Sequence, residues 1–315
     1  MLNRVTGSET IVHPFQPGDA NNPLLTFPWP RLPGSDHQPI WNGQTFLDGD
    51  REIRFLNYTE TVSAWSDELT AMHEAEAASS HPIDVASRKL ALESMKTLKG
   101  RPVILDIGCS SGFLLQDLHR ALPEAALIGA DYLSSLVNRA ISNVPDVPFL
   151  QFDLRTCPLP DETIDGATAL NVLEHIDNDE EALRQMHRIL RRGGVAHVEV
   201  PSGPSCYDVY DEVLMHHRRY TLSKLRLRCE RIGFTVEWSN HLGFFFFPFF
   251  WVTKQTNRVL ANSWSTEQKR RVVARQIRNT ARSHVMSSMF SLERIGGRIF
   301  RYPVGIRSVL RLRKV

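Results

Sequence analysis

From residue 102 onward, short apolar runs alternate with segments whose apolar side chains recur every three or four residues. That alternation predicts strands each followed by a helix, and so a doubly wound α/β domain with a parallel sheet covered on both faces. Five strands are predicted: VILDI at 103–107, ALIGA at 126–130, PFLQF at 148–152, GATAL at 166–170 and VAHVEV at 195–200. Leu115, Leu118 and Leu122 mark the helix after the first strand, and Leu133, Leu136 and Ala140 the helix after the second. Ala182, Met186, Ile189 and Leu190 mark another before the fifth strand, stopped by Gly193 and Gly194. A helix at about 222–232 and two closing strands, FTVEWS and GFFFF, complete a seven-stranded, mostly parallel sheet.

Upstream, residues 13–40 hold seven prolines and predict an irregular arm. Helices are predicted over 59–79 and 82–99, the second with Pro82 in its first turn and Ile83, Ala86, Leu90, Ala91 and Leu98 on one stripe. The expected organisation is an irregular arm plus helices that cover one end of the sheet (1–99), the doubly wound α/β domain (100–247), and an aromatic, then basic and helical, tail (248–315). No internal repeat is found.

Composition narrows the class. A chain of 315 residues, 42% hydrophobic and 23% charged, can bury a sizeable core, and is unlike collagen, a disordered chain or a polytopic membrane protein. Cys109, Cys157, Cys206 and Cys229 are widely spaced with no C-x-x-C pair, which suggests neither a disulfide scaffold nor a zinc knuckle. No metal is therefore expected. The first eighteen residues lack the apolar run of a secretory signal, so a cytoplasmic location is expected, with membrane association left open. Charge is lopsided: residues 251–315 carry 15 basic and 2 acidic side chains, net +13, whereas residues 1–250 carry net −11.

The chemistry begins in VILDIGCSSGFLL, where Asp106, Gly108 and Gly112 fall on the turn from strand to helix. Glycine there lets backbone approach a ligand closely. The spacing is neither the G-x-G-x-x-G of dinucleotide sites nor a P-loop, which favours a nucleotide without phosphates. Asp131 ends the second strand, where a carboxylate can accept both ribose hydroxyls, and Asp153 ends the third. Three acids at the same ends of three parallel strands suit a cationic nucleoside.

VILDIGCSSG, GADY, QFDL, ALNVLEH and HRILRRGG, in this order over residues 102–200, resemble the motifs of class I S-adenosylmethionine-dependent methyltransferases of the type 11 kind. The resemblance implies a Rossmann-like fold and S-adenosyl-L-methionine as cofactor. It places Asp106, Gly108, Cys109, Ser110 and Gly112 at the methionine end, Asp131 and Tyr132 at the ribose, and Asp153 and Leu154 at the adenine. Asn171 would face the donor from the fourth strand. An oxygen acceptor needs a base within hydrogen-bond reach, and His175, His216 and His217 are the candidates. A weaker resemblance of CYDVYDEVLMHHRRYT to methyltransferases of bacterial glycan and lipid-linked saccharide pathways makes Tyr207, Tyr210, Arg218 and Arg219 candidate acceptor contacts, the arginines toward a carboxylate or phosphate.

The run LGFFFFPFFWV has 11 residues, short of the ~20 that span a bilayer, and Pro248 interrupts it. Its first half is expected as a buried strand, while Phe249, Phe250 and Trp251 with Lys254 and Arg258 also suit an interfacial helix. Val273, Ile277, Ala281, Val285, Met289 and Leu292 predict one apolar face of a basic helix carrying Arg270, Arg271, Arg275, Arg278 and Arg282. Anionic lipid, a homodimer or the acidic body of the same chain are possible docking surfaces, and nucleic acid is not expected. The expected activity is O-methylation of a small-molecule or lipid-linked acceptor. Transfer to nitrogen or carbon, intramolecular displacement at sulfur, and a non-catalytic donor-binding scaffold are the alternatives.

Overall fold

The computed structural model describes residues 22–59, 81–280 and 284–315. The helix expected over 59–79 therefore lies outside the described residues, as do the side chains of Ile277, Arg278, Ala281 and Arg282.

The arm forms four short strands: β1 (Ile40–Trp41), β2 (Phe46–Asp48), β3 (Arg51–Ile53) and β4 (Leu56–Asn57). The first three make a small antiparallel sheet, and β4 joins the edge of the main one. This proline-rich segment packs because it carries large aromatics that bury fully, Trp29, Trp41 and Phe46, which touch edge to face and tilted. Helix α1 (Pro82–Met95) follows, Pro82 supplying its first turn.

The predicted alternation then forms: β5 (Val103–Ile107), α2 (Phe113–Ala121), β6 (Ala126–Asp131), α3 (Ser134–Asn143), β7 (Phe149–Gln151), β8 (Ile164–Leu170), α4 (Asp179–Ile189) and β9 (Leu190–Pro201). Strand order is β10-β11-β9-β8-β5-β6-β7-β4, where β10 is Phe234–Leu242 and β11 is Arg307–Lys314. All neighbours from β9 to β4 pair parallel, while β11 pairs antiparallel with both β9 and β10. The chain leaves β5 in one direction through β6 and β7 and returns to its other side with β8, so the topological switch lies at the carboxyl ends of β5 and β8. Ligands of such sheets bind there. On one face Val103, Leu105 and Ile107 meet α4 and the arm; on the other Ile104 meets α1, α2 and α3.

Two expectations are corrected. The sheet has eight strands, because β4 is recruited from the arm, and the second closing strand is not GFFFF. Gly243 turns the chain at φ +87° and Pro248 opens helix α7 after β10: helix α5 (Val209–Val213) and α6 (Leu222–Ile232) precede β10, and α7 runs Phe247–Leu260. The place beside β9 is taken by the last strand, β11, whose Val309, Leu310 and Leu312 are fully buried. The tail is thus two further helices, α8 (Thr266–Thr280) and α9 (His284–Gly296), and then a central strand. Its cations find carboxylates of the domain: Arg311 meets Glu237 at 3.2 Å, Lys314 meets Glu162 at 3.2 Å and Arg307 meets Glu199 at 2.8 Å.

The expected apolar stripe of the tail is also corrected. Val273 is fully buried, but Val285 and Leu292 are 69% and 66% exposed, and α9 turns Phe290 and Glu293 inward instead. Glu293 accepts the peptide N–H groups of Gly243 at 2.5 Å and Phe244 at 3.0 Å, which capture its face. Helix α7 is likewise inverted. Its inner face holds Lys254 and Asn257, both bonded to Asp208, while Phe249 (77% exposed), Trp251, Val252 and Val259 face outward. Lys254, which an interfacial helix would have turned to a lipid surface, is buried.

Candidate active site

At the carboxyl end of β5 the backbone alternates into the left-handed region at Gly108 (φ +70°), Ser110 (φ +51°) and Gly112 (φ +79°). A Cβ on Gly108 would lie 2.5 Å from Val172 Cγ2, so the turn requires glycine. Gly108 and Cys109 donate their peptide N–H groups to the Ala130 carbonyl at 2.8 and 2.9 Å, which ties this turn to the end of β6. There Asp131 accepts the N–H of Ser110 at 3.0 Å and of Leu133 at 3.1 Å. Across the switch point Asn171 also has positive φ (+54°), held by its N–H to the Glu199 carbonyl at 2.9 Å. Two strained non-glycine residues facing one crevice mark backbone shaped for a ligand.

The crevice widens into a cavity of about 920 Å³. Of the expected donor residues, Gly108, Ser110, Asp131, Tyr132, Asp153, Leu154 and Asn171 line it, whereas Asp106, Cys109 and Gly112 stand behind the wall. Asp106 is buried and accepts the Thr168 hydroxyl at 2.6 Å. Burial raises its carboxyl to about 7, with Asp131 adding to the rise and the Thr168 bond opposing it. Asp153 is not an isolated charge: it caps the following turn through the Arg155 N–H at 2.9 Å and forms an ion pair with the Arg155 guanidinium at 2.6 Å. Nevertheless the glycine cradle and the Asp131 carboxylate fit a cationic nucleoside, with Asp106 buried behind them.

Opposite the donor side stand Glu174 and His175, on a 3-10 turn after β8, with His216, His217 and Tyr210. His216 is buried and its Nδ1 donates to Asp211 Oδ1 at 2.8 Å, leaving Nε2 for the cavity. Asp211 owes its place to the sequence D-V-Y-D, whose first and last residues make a capping box on α5. It also accepts Arg219 Nε at 2.8 Å and the Asp208 N–H at 3.0 Å. Burial opposes its ionisation, yet the bonds from His216 and Arg219 hold its carboxyl below the usual range. Burial lowers His216, against the pull of Asp211. The His175 and His216 rings meet edge to face at 4.7 Å. His217 is exposed at the rim.

The arginines are corrected as free anion contacts. Arg218 points away, to Asp179 at 3.0 Å and the Asp177 carbonyl at 2.6 Å. Arg219 lines the cavity but donates to Asp211 and to the Ser202 carbonyl at 3.2 Å. Tyr207 stays outside and donates its hydroxyl to the His216 carbonyl at 2.8 Å, so it positions that loop. Tyr210 lies under Lys254, whose Nζ is 4.4 Å from the ring centre.

Sequence spacing missed four features. Asp211 pairs with Arg219 and Lys254 with Asp208 in a buried network, the far wall is aromatic (Phe246, Phe249, Phe250 and Phe290), and Ile306 and Arg307 of the tail complete it. Only the capping-box spacing of Asp208 and Asp211 could have flagged the first. Glu174 is fully buried, and neither carboxylate oxygen has a hydrogen-bond partner elsewhere among the described residues. Burial raises its carboxyl to about 8, against its own peptide N–H and the Arg307 and Arg219 charges.

Residues 105–198 match the family model described as a methyltransferase domain. A probable S-adenosylmethionine-dependent methyltransferase of Mycolicibacterium smegmatis is 30% identical over 139 residues, covering 42% of this chain and 52% of that one. The chain spans about a third to a half of the length of such curated relatives. Among solved structures, a putative methyltransferase of Haloferax volcanii, in complex with the Trm112 methyltransferase activator, aligns with a TM-score of 0.53 at 16% identity, over 80% of this chain and 99% of that one. Phosphoethanolamine N-methyltransferase 2 of Haemonchus contortus, in complex with S-adenosyl-L-methionine, aligns with a TM-score of 0.54 at 13% identity, over 81% of this chain and 60% of that one. At those identities the structures speak for the fold alone; the domain match, the motif order and the mycobacterial relative support a class I S-adenosylmethionine-dependent methyltransferase domain over residues 105–198.

Proposed function

We propose that this chain methylates an oxygen of a small-molecule or lipid-linked acceptor that carries an apolar portion. The observation behind this reading is the continuity of one cavity, from Gly108, Asp131 and Asn171 past His175 and His216 to Phe246, Phe249 and Phe290. S-adenosylmethionine, when bound, supplies a methyl group already activated on sulfonium, which needs alignment and exclusion of water. Asp131 would accept the ribose hydroxyls, the turn from Asp106 to Gly112 would hold the methionine end, and Asp153 with Leu154 would flank the adenine. The acceptor oxygen would rest beside His175 and His216, the latter oriented by Asp211, with its apolar portion along the phenylalanines. Asn171, between the two ends, would help set the line of approach.

The inverted helices support a lipid-linked acceptor. Phe249, Trp251, Val252 and Val259 on α7, and Val285, Leu292 and Ile295 on α9, are exposed, and Ile299 beyond α9 is 81% exposed. Arg258 on α7, and Arg298 and Arg301 just after α9, are also exposed. An apolar face fringed by cations suits the surface of an anionic bilayer; no described helix is long and apolar enough to cross one.

The test is calorimetric titration with S-adenosylmethionine and S-adenosylhomocysteine, followed by radiolabelled methyl transfer to a panel of free and polyprenyl-linked saccharides in vesicles. Donor binding at micromolar concentration with label in an ether or ester is expected. Folded protein that binds neither donor nor product refutes the reading. Vesicle flotation addresses the outer face: a dimer that buries the same face and ignores vesicles removes the lipid part.

A further inference from the structure

We infer that Glu174, His175 and His216 form a binding site for a divalent transition-metal cation at the acceptor end of the cavity. Their ligating atoms all lie within 4.8 Å of one another. Ligand bonds to such ions are about 2.0–2.2 Å, so small side-chain rotations bring the three atoms around one point.

Three observations support the assignment independently of spacing. First, Glu174 is fully buried, neither of its carboxylate oxygens is hydrogen-bonded to another residue among the described ones, and it lines the cavity. A buried carboxylate without a partner is costly, and native proteins keep such groups where a ligand completes them. Second, His216 is set as a ligand: Asp211 takes the Nδ1 proton at 2.8 Å, which fixes the tautomer and turns Nε2 toward the cavity. Carboxylates behind ligating histidines orient them and raise their basicity. Third, the nearest guanidiniums do not supply the missing partner. Arg219 is paired with Asp211, and Arg307 with Asp84 and Glu199, so carboxylates outnumber cations around the site.

Two imidazoles and one carboxylate suit Mn(II), Fe(II), Co(II) or Zn(II), and three protein ligands leave positions open toward the cavity. An acceptor hydroxyl would take one of them, which would align its oxygen and ease loss of its proton to solvent. This role rests on the methyl-transfer reading above; the metal site itself does not.

The full chain, stripped with EDTA and exchanged into metal-free buffer, is titrated with Mn(II), Co(II) and Zn(II), each alone, by calorimetry. Binding of one equivalent is expected, with Co(II) giving visible bands of a nitrogen and oxygen ligand set. Glu174→Gln and His216→Gln should each weaken binding at least tenfold, while His187→Gln, remote from the site, should leave it unchanged. S-adenosylmethionine titration and circular dichroism of the same variants report folding. If they misfold, the Co(II) spectrum of the unaltered chain decides. Absence of metal binding by a chain that binds the donor overturns the site and spares the methyltransferase reading. So does unchanged metal affinity in folded Glu174→Gln. Metal binding without donor binding keeps the site and refutes the reading.

Discussion

Replacing Leu310 by alanine tests whether the last strand is structural core or a dispensable tail. Leu310 is fully buried in β11, flanked by β9 on one side and β10 on the other. A buried leucine cut to alanine costs about 2–5 kcal/mol, more where the surroundings cannot collapse, and a site closed by two neighbouring strands has little room to do so. Taking about 3 kcal/mol, the thermal midpoint should fall by roughly 6–12 °C. Deleting residues 304–315 is the stronger perturbation. It exposes the partners of Val309, Leu310 and Leu312, worth roughly 5–9 kcal/mol together, and parts β9 from β10. That loss is comparable with the whole stability of a typical domain, about 5–15 kcal/mol, so the deleted chain should not fold. It also removes Arg307, leaving the buried Glu199 carboxylate without its cation. Urea titration followed by circular dichroism reads both variants. A deleted chain that unfolds at the same urea concentration as the full chain, and still binds S-adenosylmethionine, would refute the argument and return residues 304–315 to the status of an appendage.

The remaining predictions concern the site. Asp131→Ala removes the acceptor of the Ser110 and Leu133 N–H groups as well as the proposed ribose contact; at about 1.5–3 kcal/mol per charged hydrogen bond, donor affinity should fall at least tenfold in a titration, and an unchanged affinity would misplace the ribose. Asp211→Asn leaves Arg219 buried without its anion, so urea stability should drop by about 3–5 kcal/mol; a drop well under 1 kcal/mol would show that the pair is not closed off from water. The Asp106 carboxyl is raised from 3.8 to about 7 in the folded chain. Between those values the folded state holds the proton and the unfolded state does not, so this residue's contribution to stability falls as pH rises from about 4 to about 7. Entry of a cationic donor favours the ionised form, so binding near pH 6 should release a proton. Calorimetry in two buffers of different ionisation enthalpy detects it, and identical heats would exclude ionisation of Asp106 on binding.

Local pattern sufficed for the centre of this protein. Runs such as VILDI and ALIGA are buried on both faces of a parallel sheet, so they read as unbroken apolar strands, and the glycine turn after VILDI needs only its own few residues to define it. Hence five strands, their order in the chain and the position of Gly108, Asp131 and Asn171 were legible in the sequence. What lay beyond it depended on partners distant along the chain. RSVLRLRKV looks like a solvated basic run until Glu237, Glu162 and Glu199 neutralise it and β9 and β10 take up its backbone hydrogen bonds. FFFFPFF looks like core, yet α7 turns polar residues inward because Asp208, some forty residues earlier, is buried and needs Lys254 and Asn257. Arg218 and Arg219 looked available for an anionic acceptor because Asp179 and Asp211 could not be placed beside them without the fold. The histidines show the same limit. Their candidacy came from residue type and from their places after the fourth and fifth strands, and only tertiary structure set His216 on Asp211 and brought His175 and the buried Glu174 within reach of it. Strands and tight turns are dictated by near neighbours; the neutralisation of buried charge is decided by whichever residues the topology brings together.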